Sequence, residues 1–307
     1  MARRRIMHYE LIKSAFRSTC KSAFWLLKLM IPISLTVTLL QYWGVIEWLA
    51  QWLNPVFRFM GLPGSSAVLF LSGAAAGTYA GIAAMMSIPL TLRQATIIGL
   101  MILICHALPM ECAVNRKTGS SFWGMAALRI FMAFVCAFYM NQILPDMPQA
   151  YLYMGAPADS GIQQVLLTWV ISQAKMSVMI FCIIMALMVI QRLLEAFHLL
   201  APISSFLSPL MRAFGLPPKA SYMWLVGNVL GISYGSAVML EMEEKGLIDR
   251  SEANDVNYHL VMSHSLLEDT IVLALTGVSV FWIITTRLLF AILVVWVRRF
   301  LTRIVSS

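Results

Sequence analysis

Histidine, carboxylate and arginine side chains occur in the same order at two places in this sequence, each time inside stretches that are otherwise apolar. In the first copy His106 precedes Glu111, and Arg129 follows in the next apolar stretch. The second copy lies 158 residues further along the chain and consists of His264, Asp269 and Arg287, with Glu268 beside the aspartate. Ionisable groups at membrane depth cost roughly 2.5–3.5 kcal/mol each on insertion, so they mark functional sites by default. Two copies in one register therefore predict a site for a substrate or an ion.

The two arginines predict an anion at this site. Arginine keeps its proton under all ordinary conditions, so a guanidinium deep in an apolar stretch must find an anion. One interpretation is an internal partner, which is Glu111 for Arg129 and either Asp269 or Glu268 for Arg287. The other is that both guanidinium groups converge on a phosphate or carboxylate of a substrate. Both hold if the carboxylates release the arginines when the substrate binds.

The two histidines are open to three interpretations: buried core residues, proton carriers or metal ligands. His106 and Glu111 do not share a face of a continuous helix, and Pro109 makes such a helix doubtful, whereas Glu268 does share the face of His264. A metal site could use Cys105, His106, Glu111, Cys112, His264 and Glu268. Two arginine charges would oppose a divalent ion there. We therefore predict no resident metal or other cofactor, and a proton or sodium ion as the coupling ion.

The composition is that of an integral membrane protein. Of the 307 residues 60% are hydrophobic and 12% are charged, against about 25% charged in soluble domains. Apolar stretches of about 20 residues recur, which is long enough to cross a bilayer, and such spans must be helical. The net charge of +8 does not indicate nucleic acid, because the basic residues concentrate at the two ends of the chain. We predict an all-α, multi-pass protein of a bacterial-type plasma membrane, with lipid and a small molecule as partners; a homo-oligomer is left open.

Small residues mark one stretch in each half, with glycine at every fourth position: Gly73, Gly77 and Gly81, then Gly227, Gly231 and Gly235. Such spacing lets helices approach closely. Alternatively the stretch is a broken helix whose half-helix N-termini present free N–H groups to an anion. In that case further polar contacts to the substrate come from Tyr79, Asn228 and Tyr234, and from Thr118 and Thr276 in the two Thr-Gly pairs.

The order of segments predicts two repeats of inverted topology. Both chain ends are basic and hence cytoplasmic, whereas the central linker has no Lys or Arg and is hence external. Each half then crosses the membrane an odd number of times, as about three spans plus a re-entrant or broken helical hairpin at 65–86 and 219–240. The predicted parts are a cytoplasmic amphipathic segment 1–20, repeat 21–143, linker 144–166, repeat 167–300 and a cytoplasmic tail 301–307.

The repeated order is a small-residue hairpin, then H-x4-E or H-x3-E-D, then T-G, then a span with an arginine. It resembles the Gate or nucleoside-recognition membrane family over roughly residues 20–300. That family includes spore-maturation membrane proteins and the Gate portions of bacterial ferrous-iron permeases, and its layout is similar to that of concentrative nucleoside transporters. The resemblance implies transport or nucleoside handling, but its motifs specify the substrate poorly. The chain has no GTPase domain like that of the iron permeases, so we do not expect coupling of that kind.

We therefore predict a secondary transporter of a small polar, anionic solute that works by alternating access. The solute classes are nucleoside-related and phosphorylated compounds, including the head group of a phosphorylated lipid. One alternative is a divalent-metal permease, and another is a membrane scaffold without transport. An enzyme is not expected, because the sequence shows no nucleophile–base pair, P-loop or dinucleotide fingerprint.

Overall fold

The computed structural model describes residues 2–155 and 160–306, and these residues form helices joined by short connections. The first half holds α1 Ala2–Tyr42, α2 Val45–Arg58, α3 Ser66–Ala76, α4 Thr78–Met85, α5 Leu92–Cys105, α6 Leu108–Lys117 and α7 Phe122–Ile143. The second half holds α8 Ile162–Ala196, α9 Leu200–Ala213, α10 Ser221–Val229, α11 Ile232–Glu244, α12 Arg250–Ser263, α13 Leu266–Ala274 and α14 Val280–Ser306. A short 3-10 turn, Pro218–Ala220, precedes α10. The seven helices of one half thus recur in the same order in the other.

Four helical segments are long and apolar enough to cross a membrane: Leu92–Lys117, Phe122–Ile143, Ile162–Leu194 and Val280–Ile304. A fifth candidate is the pair Met30–Tyr42 and Val45–Arg58, which is bent by 89°. The described residues are therefore those of an all-helical protein with several candidate membrane spans. Helix α1 runs without interruption across the predicted boundary at residue 20, so residues 2–20 continue directly into the first apolar stretch.

Both small-residue stretches are broken helices, as one of the two interpretations of their glycines predicts. Gly77 separates α3 from α4 with φ 98°, and Gly231 separates α10 from α11 with φ 93°. A residue with a Cβ rarely adopts this conformation, so glycine is required at both points. The predicted hairpins at 65–86 and 219–240 therefore have their turning points at equivalent residues.

Each half contains a second helix break, directly after His106 in the first half and directly after His264 in the second. Ala107 has φ 45° between α5 and α6, and Ser265 has φ 50° between α12 and α13. In the first half Pro109 lies at the start of α6, where its missing N–H is tolerated. In the first half Pro109 makes a continuous helix doubtful, and in the second half the sequence predicts one face shared by His264 and Glu268. The structure ends α5 and α12 directly before the two histidines. The backbone N–H groups of Ala107 and Ser265 each donate at 3.1 Å to a glycine carbonyl of the neighbouring hairpin, Gly73 and Gly227.

Close packing at the glycines fixes the hairpins against the histidine helices. A Cβ added to Gly73 or Gly81 would lie 2.8 or 2.9 Å from Cγ2 of Ile102 on α5. In the second half Gly227 faces Leu260 of α12 in the same way, at 2.6 Å. The close-approach interpretation of the glycines therefore also applies, because the backbone of each hairpin contacts a side chain of the neighbouring helix. Helix α5 is almost fully buried as a result and places His106 in the middle of the protein.

Candidate functional site

The two histidines meet at the centre of the molecule, where the halves contact each other. His106 follows α5 and His264 follows α12, and their Nε2 atoms are 3.4 Å apart. Each Nδ1 lies close to a backbone carbonyl, 3.0 Å from Leu103 and 2.6 Å from Leu260. A carbonyl oxygen only accepts hydrogen bonds, so both Nδ1 atoms carry their hydrogen. In the neutral rings the Nε2 atoms then present lone pairs to each other.

The carboxylate of Glu111 lies between the two rings. Its Oε1 is 3.1 Å from Nε2 of His106, and its Oε2 is 3.1 Å from Nε2 of His264. Two ring lone pairs and a carboxylate repel one another unless a positive species lies among them. The ligand atoms of these three buried residues all lie within 4.8 Å of one another, so the trio could hold a proton or a metal ion.

Both arginines brace the ends of the broken helices. Nε of Arg129 donates to the carbonyl of Ile104 at 2.7 Å, and its NH2 donates to the carbonyl of His106 at 2.9 Å. Arg287 makes the equivalent two bonds in the second half, at 2.8 and 2.6 Å. The last carbonyls of a helix lack intrahelical partners and carry the negative end of its dipole. The two guanidinium groups, which are fully buried, therefore serve as caps for α5 and α12.

The arginines differ in their carboxylate partners. Arg129 forms an ion pair with Glu111, with 2.7 Å between NH2 and Oε2. In the described part of the chain no carboxylate oxygen lies within 4.0 Å of Arg287. Asp269 occupies the position equivalent to Glu111 but is one methylene shorter, and it lies 3.7 Å from Nε2 of His106 instead. NH1 of each arginine has no hydrogen-bond partner among the described residues.

The tip of the first hairpin closes over the carboxylates of the second half. The hydroxyl of Thr78 donates to Oδ1 of Asp269 at 3.1 Å, and that of Tyr79 donates to Oε1 of Glu268 at 3.2 Å. Asp269 therefore sits beside the N-terminus of α4, where the helix dipole favours an anion. The second hairpin has Ile232 at the position of Thr78, and this side chain cannot make an equivalent bond. The threonine hydrogen bond is thus present on one side only, although α11 of the second hairpin also packs against α6 of the first half.

The charge of the cluster depends on the protonation of its carboxylates. Glu111 and Asp269 are buried together with the guanidinium groups of Arg129 and Arg287, whereas Glu268 is half-buried and bonds to Tyr79. With Glu268 protonated and both histidines neutral, two negative and two positive charges balance. With Glu268 ionised, one additional positive charge neutralises the cluster, and the trio of His106, His264 and Glu111 provides a place for it.

Four other predicted site residues lie away from the cluster or are not bonded to it. Thr118 and Thr276 bond to carbonyls at the ends of α6 and α13, at 3.1 and 2.6 Å. Tyr234 is 58% exposed, and Asn228 donates to the carbonyl of Trp224 at 2.8 Å. In the described residues no hydrogen bond joins these four side chains to the histidines or carboxylates.

Sequence reasoning left out a buried contact between the halves at Asn257. Its Nδ2 donates at 2.8 Å to the hydroxyl of Thr118 and at 2.8 Å to that of Ser120. The signal for it was an asparagine within the apolar stretch that precedes His264. Thr118 therefore contributes to the contact between the halves.

Two of three comparisons with known proteins find a match. Residues 23–145 match the family model for Gate, described as nucleoside recognition, which confirms for the first half the resemblance drawn from the repeated motifs. The chain is 29% identical over 272 residues to the uncharacterized membrane protein YvoD of Bacillus subtilis (strain 168), covering 87% of this chain and 86% of that protein. No solved structure matches the chain. Residues 23–145 are therefore similar to the Gate family, and most of the chain is similar to a membrane protein.

Proposed function

We propose that the protein is a secondary transporter that moves a small polar, anionic solute by alternating access of its two halves. The observation that carries this proposal is the buried cluster of histidine, carboxylate and arginine side chains where the halves meet. Both halves contribute side chains of each kind to it. Such groups are costly inside a membrane and line the pathways of solutes and ions in transporters. Solute sites near the midplane between two repeats are typical of secondary transporters.

The halves are inverted relative to each other in this proposal. Glu111 contacts His264, and the equivalent Asp269 approaches His106, so the contact is reciprocal. The turns at the ends of α6 and α13 behave alike, because Gly119 packs on Arg250 and Gly277 packs on the equivalent residue, Leu92. Reciprocal contacts are the mark of a two-fold axis. The basic chain ends and the linker without Lys or Arg favour an axis in the membrane plane, with both termini cytoplasmic.

The trio of His106, His264 and Glu111 binds the coupling ion. Its converging lone pairs call for one small cation, which is a proton or a sodium ion. The backbone carbonyls that hold both Nδ1 hydrogens fix the rings with Nε2 turned towards the carboxylate, as outer partners do in ion sites. The ion can therefore bind without any reorientation of the rings.

The two free NH1 groups of Arg129 and Arg287 supply the anion contacts. In each guanidinium group the buried NH1 nitrogen has no hydrogen-bond partner among the described residues, while the other two nitrogens cap the helix. A buried donor without a partner costs about 1–3 kcal/mol, which an arriving phosphate or carboxylate recovers. The Gate match at 23–145 supports nucleoside-related compounds as one solute class. Phosphorylated compounds, including the head group of a phosphorylated lipid, have the same anionic chemistry.

The difference in hydrogen bonding between the two hairpins supports alternating access. In the described conformation the first hairpin is held by Thr78 and Tyr79 on the carboxylates of α13, and the second hairpin lacks the equivalent threonine bond. Release of the first hairpin breaks two hydrogen bonds to charged groups, each with a net value of about 1.5–3 kcal/mol. Binding of cation and anion at the cluster offsets this cost, because the cation takes over the compensation of the carboxylates.

Ligand-dependent thermal stabilisation of the purified protein tests the proposal. The probes are nucleosides, nucleotides, phosphorylated lipid head groups and divalent metal ions, each with and without sodium. We expect an anionic probe to raise the unfolding temperature of the wild type. The matched variant Arg287→Lys keeps the charge but loses the guanidinium fork, and it should lose this shift. A shift that Arg287→Lys retains in full would contradict the anion site.

A divalent-metal permease is the second candidate, and the geometry of the His106, Glu111 and His264 trio favours it. In that case a metal ion should stabilise the wild type and Arg287→Lys alike, and His264→Gln should abolish the effect. If no probe stabilises the protein and His264→Gln and Arg287→Lys leave its cellular role intact, the scaffold alternative replaces both transport proposals.

A further inference from the structure

Three residues on α6, α11 and α12 bury polar atoms that have no hydrogen-bond partner. Asn115 on α6 is fully buried, and neither its amide nitrogen nor its amide oxygen has a partner among the described residues. The same holds for Oδ1 of Asn257 on α12 and for the hydroxyl of Ser236 on α11, which is 3% exposed. Helix α6 packs against α11, and Asn257 bonds to the turn that follows α6. Such atoms are uncommon in native structures, so each needs an explanation.

These residues extend the charged cluster along α6 and α12. Asn115 lies four residues after Glu111, so the two side chains share a face of α6 and are about 6 Å apart along its axis. Beyond α6, Nδ2 of Asn257 donates to the hydroxyl of Ser120, and this hydroxyl donates to Oδ1 of Asn254 at 2.7 Å. Asn254 is half-buried, so the series reaches the surface there. A polar track therefore runs from the cluster to the surface; it consists of Glu111, Asn115, Ser236, Asn257, Ser120 and Asn254.

The contact that the repeat makes equivalent to this track is apolar. In place of Asn115, Ser236 and Asn257 it has, in this order, Leu273, Ile82 and Gly99. It is also tightly packed, since a Cβ on Gly99 would lie 2.7 Å from Cδ2 of Leu273. The charged cluster is thus closed by apolar packing in one direction and by unsatisfied polar groups in the other.

The unsatisfied atoms are unfavourable only while the helices stay together. They have almost no accessible surface in this conformation, so neither water nor a solute reaches them. Separation of α6 from α11 and α12 lets water bond to each of these atoms, which lowers the free energy of the open state relative to the closed one. The apolar contact between Gly99 and Leu273 has no such gain, because water is unfavourable on apolar surface. Of the two equivalent contacts, the polar track is therefore the less costly one to open.

We propose that the polar track is the cytoplasmic half of the transport pathway, closed in this conformation. Arg116 and Lys117 at the end of α6 place this end of the track in the cytoplasm under the positive-inside rule. Amide and hydroxyl groups both donate and accept hydrogen bonds, so the opened track accommodates a hydrated cation as well as an anionic solute. The inference rests on the transport function proposed above, because a pathway needs a species that uses it.

Cysteine labelling at Ser236 tests the pathway, in protein whose five native cysteines are replaced. A membrane-impermeant maleimide is applied to inside-out vesicles and, separately, to intact cells. Ser236→Cys should be labelled in the vesicles only, because the track opens to the cytoplasm. Val226→Cys is the matched control: Val226 lies five residues before Gly231 and Ser236 five residues after it, and both are buried. Val226 belongs to the apolar core of the second half, so its cysteine should stay unlabelled from both faces.

Asn115→Leu should hold the track closed. Leucine has the same branched shape as asparagine, leaves no polar atom unsatisfied and is the residue at the equivalent position, Leu273. We expect the midpoint of unfolding by SDS to rise and the labelling of Ser236→Cys in vesicles to slow roughly tenfold. The slower labelling separates a pathway from a static polar contact, which would change in stability alone.

Absence of labelling at Ser236→Cys in the vesicles, or labelling of it in intact cells, would overturn the proposal. So would equal labelling of Val226→Cys, which would indicate a general loosening of the hairpin, or an unchanged labelling rate in Asn115→Leu. Failure of the transport function itself shows in a different measurement, since the ligand-dependent stabilisation of the wild type does not depend on the reactivity of a cysteine at position 236.

Discussion

Removal of Arg129 should destabilise the protein far more than removal of the equivalent Arg287. Both arginines donate two hydrogen bonds to the carbonyls that end a broken helix. Only Arg129 is also ion-paired, 2.7 Å from Oε2 of Glu111. We therefore expect Arg129→Met and Arg287→Met to share one loss and to differ in the other, although the sequence repeat presents the two residues as equivalent.

The size of the difference follows from these contacts. Two hydrogen bonds from a charged donor have a net value of about 1.5–3 kcal/mol each. Both variants lose these. Breaking a buried ion pair from one side adds about 3–5 kcal/mol, because the remaining charge is left uncompensated. The free energy of unfolding should thus fall about 3–5 kcal/mol further in Arg129→Met than in Arg287→Met.

Unfolding by SDS in mixed micelles, followed by circular dichroism, measures both variants against the wild type. The control is Arg129→Met combined with Glu111→Gln, which removes the uncompensated charge and should recover most of the additional loss. Equal destabilisation by the two single variants would refute the asymmetry. A double variant that is no more stable than Arg129→Met would show that the ion pair is not its cause.

Three further substitutions test the helix break, the close packing of the hairpin and the contact between the halves; the free energy of unfolding is measured for each. Gly77→Ala should lower the free energy of unfolding by about 1–3 kcal/mol, because φ is 98° at this residue. The new Cβ meets nothing within 4 Å, so this loss comes from backbone strain alone; no loss would argue against the helix break. Gly73→Ala places a Cβ 2.8 Å from Ile102 and should cost about 1–3 kcal/mol, less in an Ile102→Ala background; additive losses would contradict the close contact. Asn257→Leu should cost about 1–3 kcal/mol by leaving partners such as Thr118 unsatisfied; a neutral result would place Asn257 outside the contact.

The sequence predicts the helical class and the element order because both follow from periodic, repeated features. Apolar stretches of sufficient length specify helices in a membrane. Glycine at positions such as Gly77 and Gly231 marks the points where the backbone must take a positive φ. The resemblance to the Gate family, drawn from the repeated motifs, is confirmed for residues 23–145.

The arrangement of the site could not be predicted because it depends on where the helices break. On a continuous helix Glu111 points away from His106, and Glu268 shares a face with His264. The breaks at Ala107 and Ser265 change the direction of the chain directly after each histidine. Glu111 consequently reaches both rings, and Glu268 faces Tyr79 of the other half.

The difference between the two halves was likewise hidden in the sequence. Glu111 and Asp269 occupy equivalent positions and differ by one methylene group. This small difference decides whether a carboxylate reaches the guanidinium of its own half, as it does at Arg129 but not at Arg287. Only the packed structure shows this consequence.

Access to the cluster from both sides of the membrane is the central claim, and cysteine labelling tests it directly. Ser265→Cys lies next to His264, and the five native cysteines are replaced first. A membrane-impermeant maleimide is applied to intact cells and, separately, to inside-out vesicles. Cysteine at Asp146 in the linker and at Arg116 in the last turn of α6 serve as one-sided controls. We expect labelling of Ser265→Cys from both faces, and of each control from one face only. Labelling of Ser265→Cys from a single face, or from neither, would contradict alternating access.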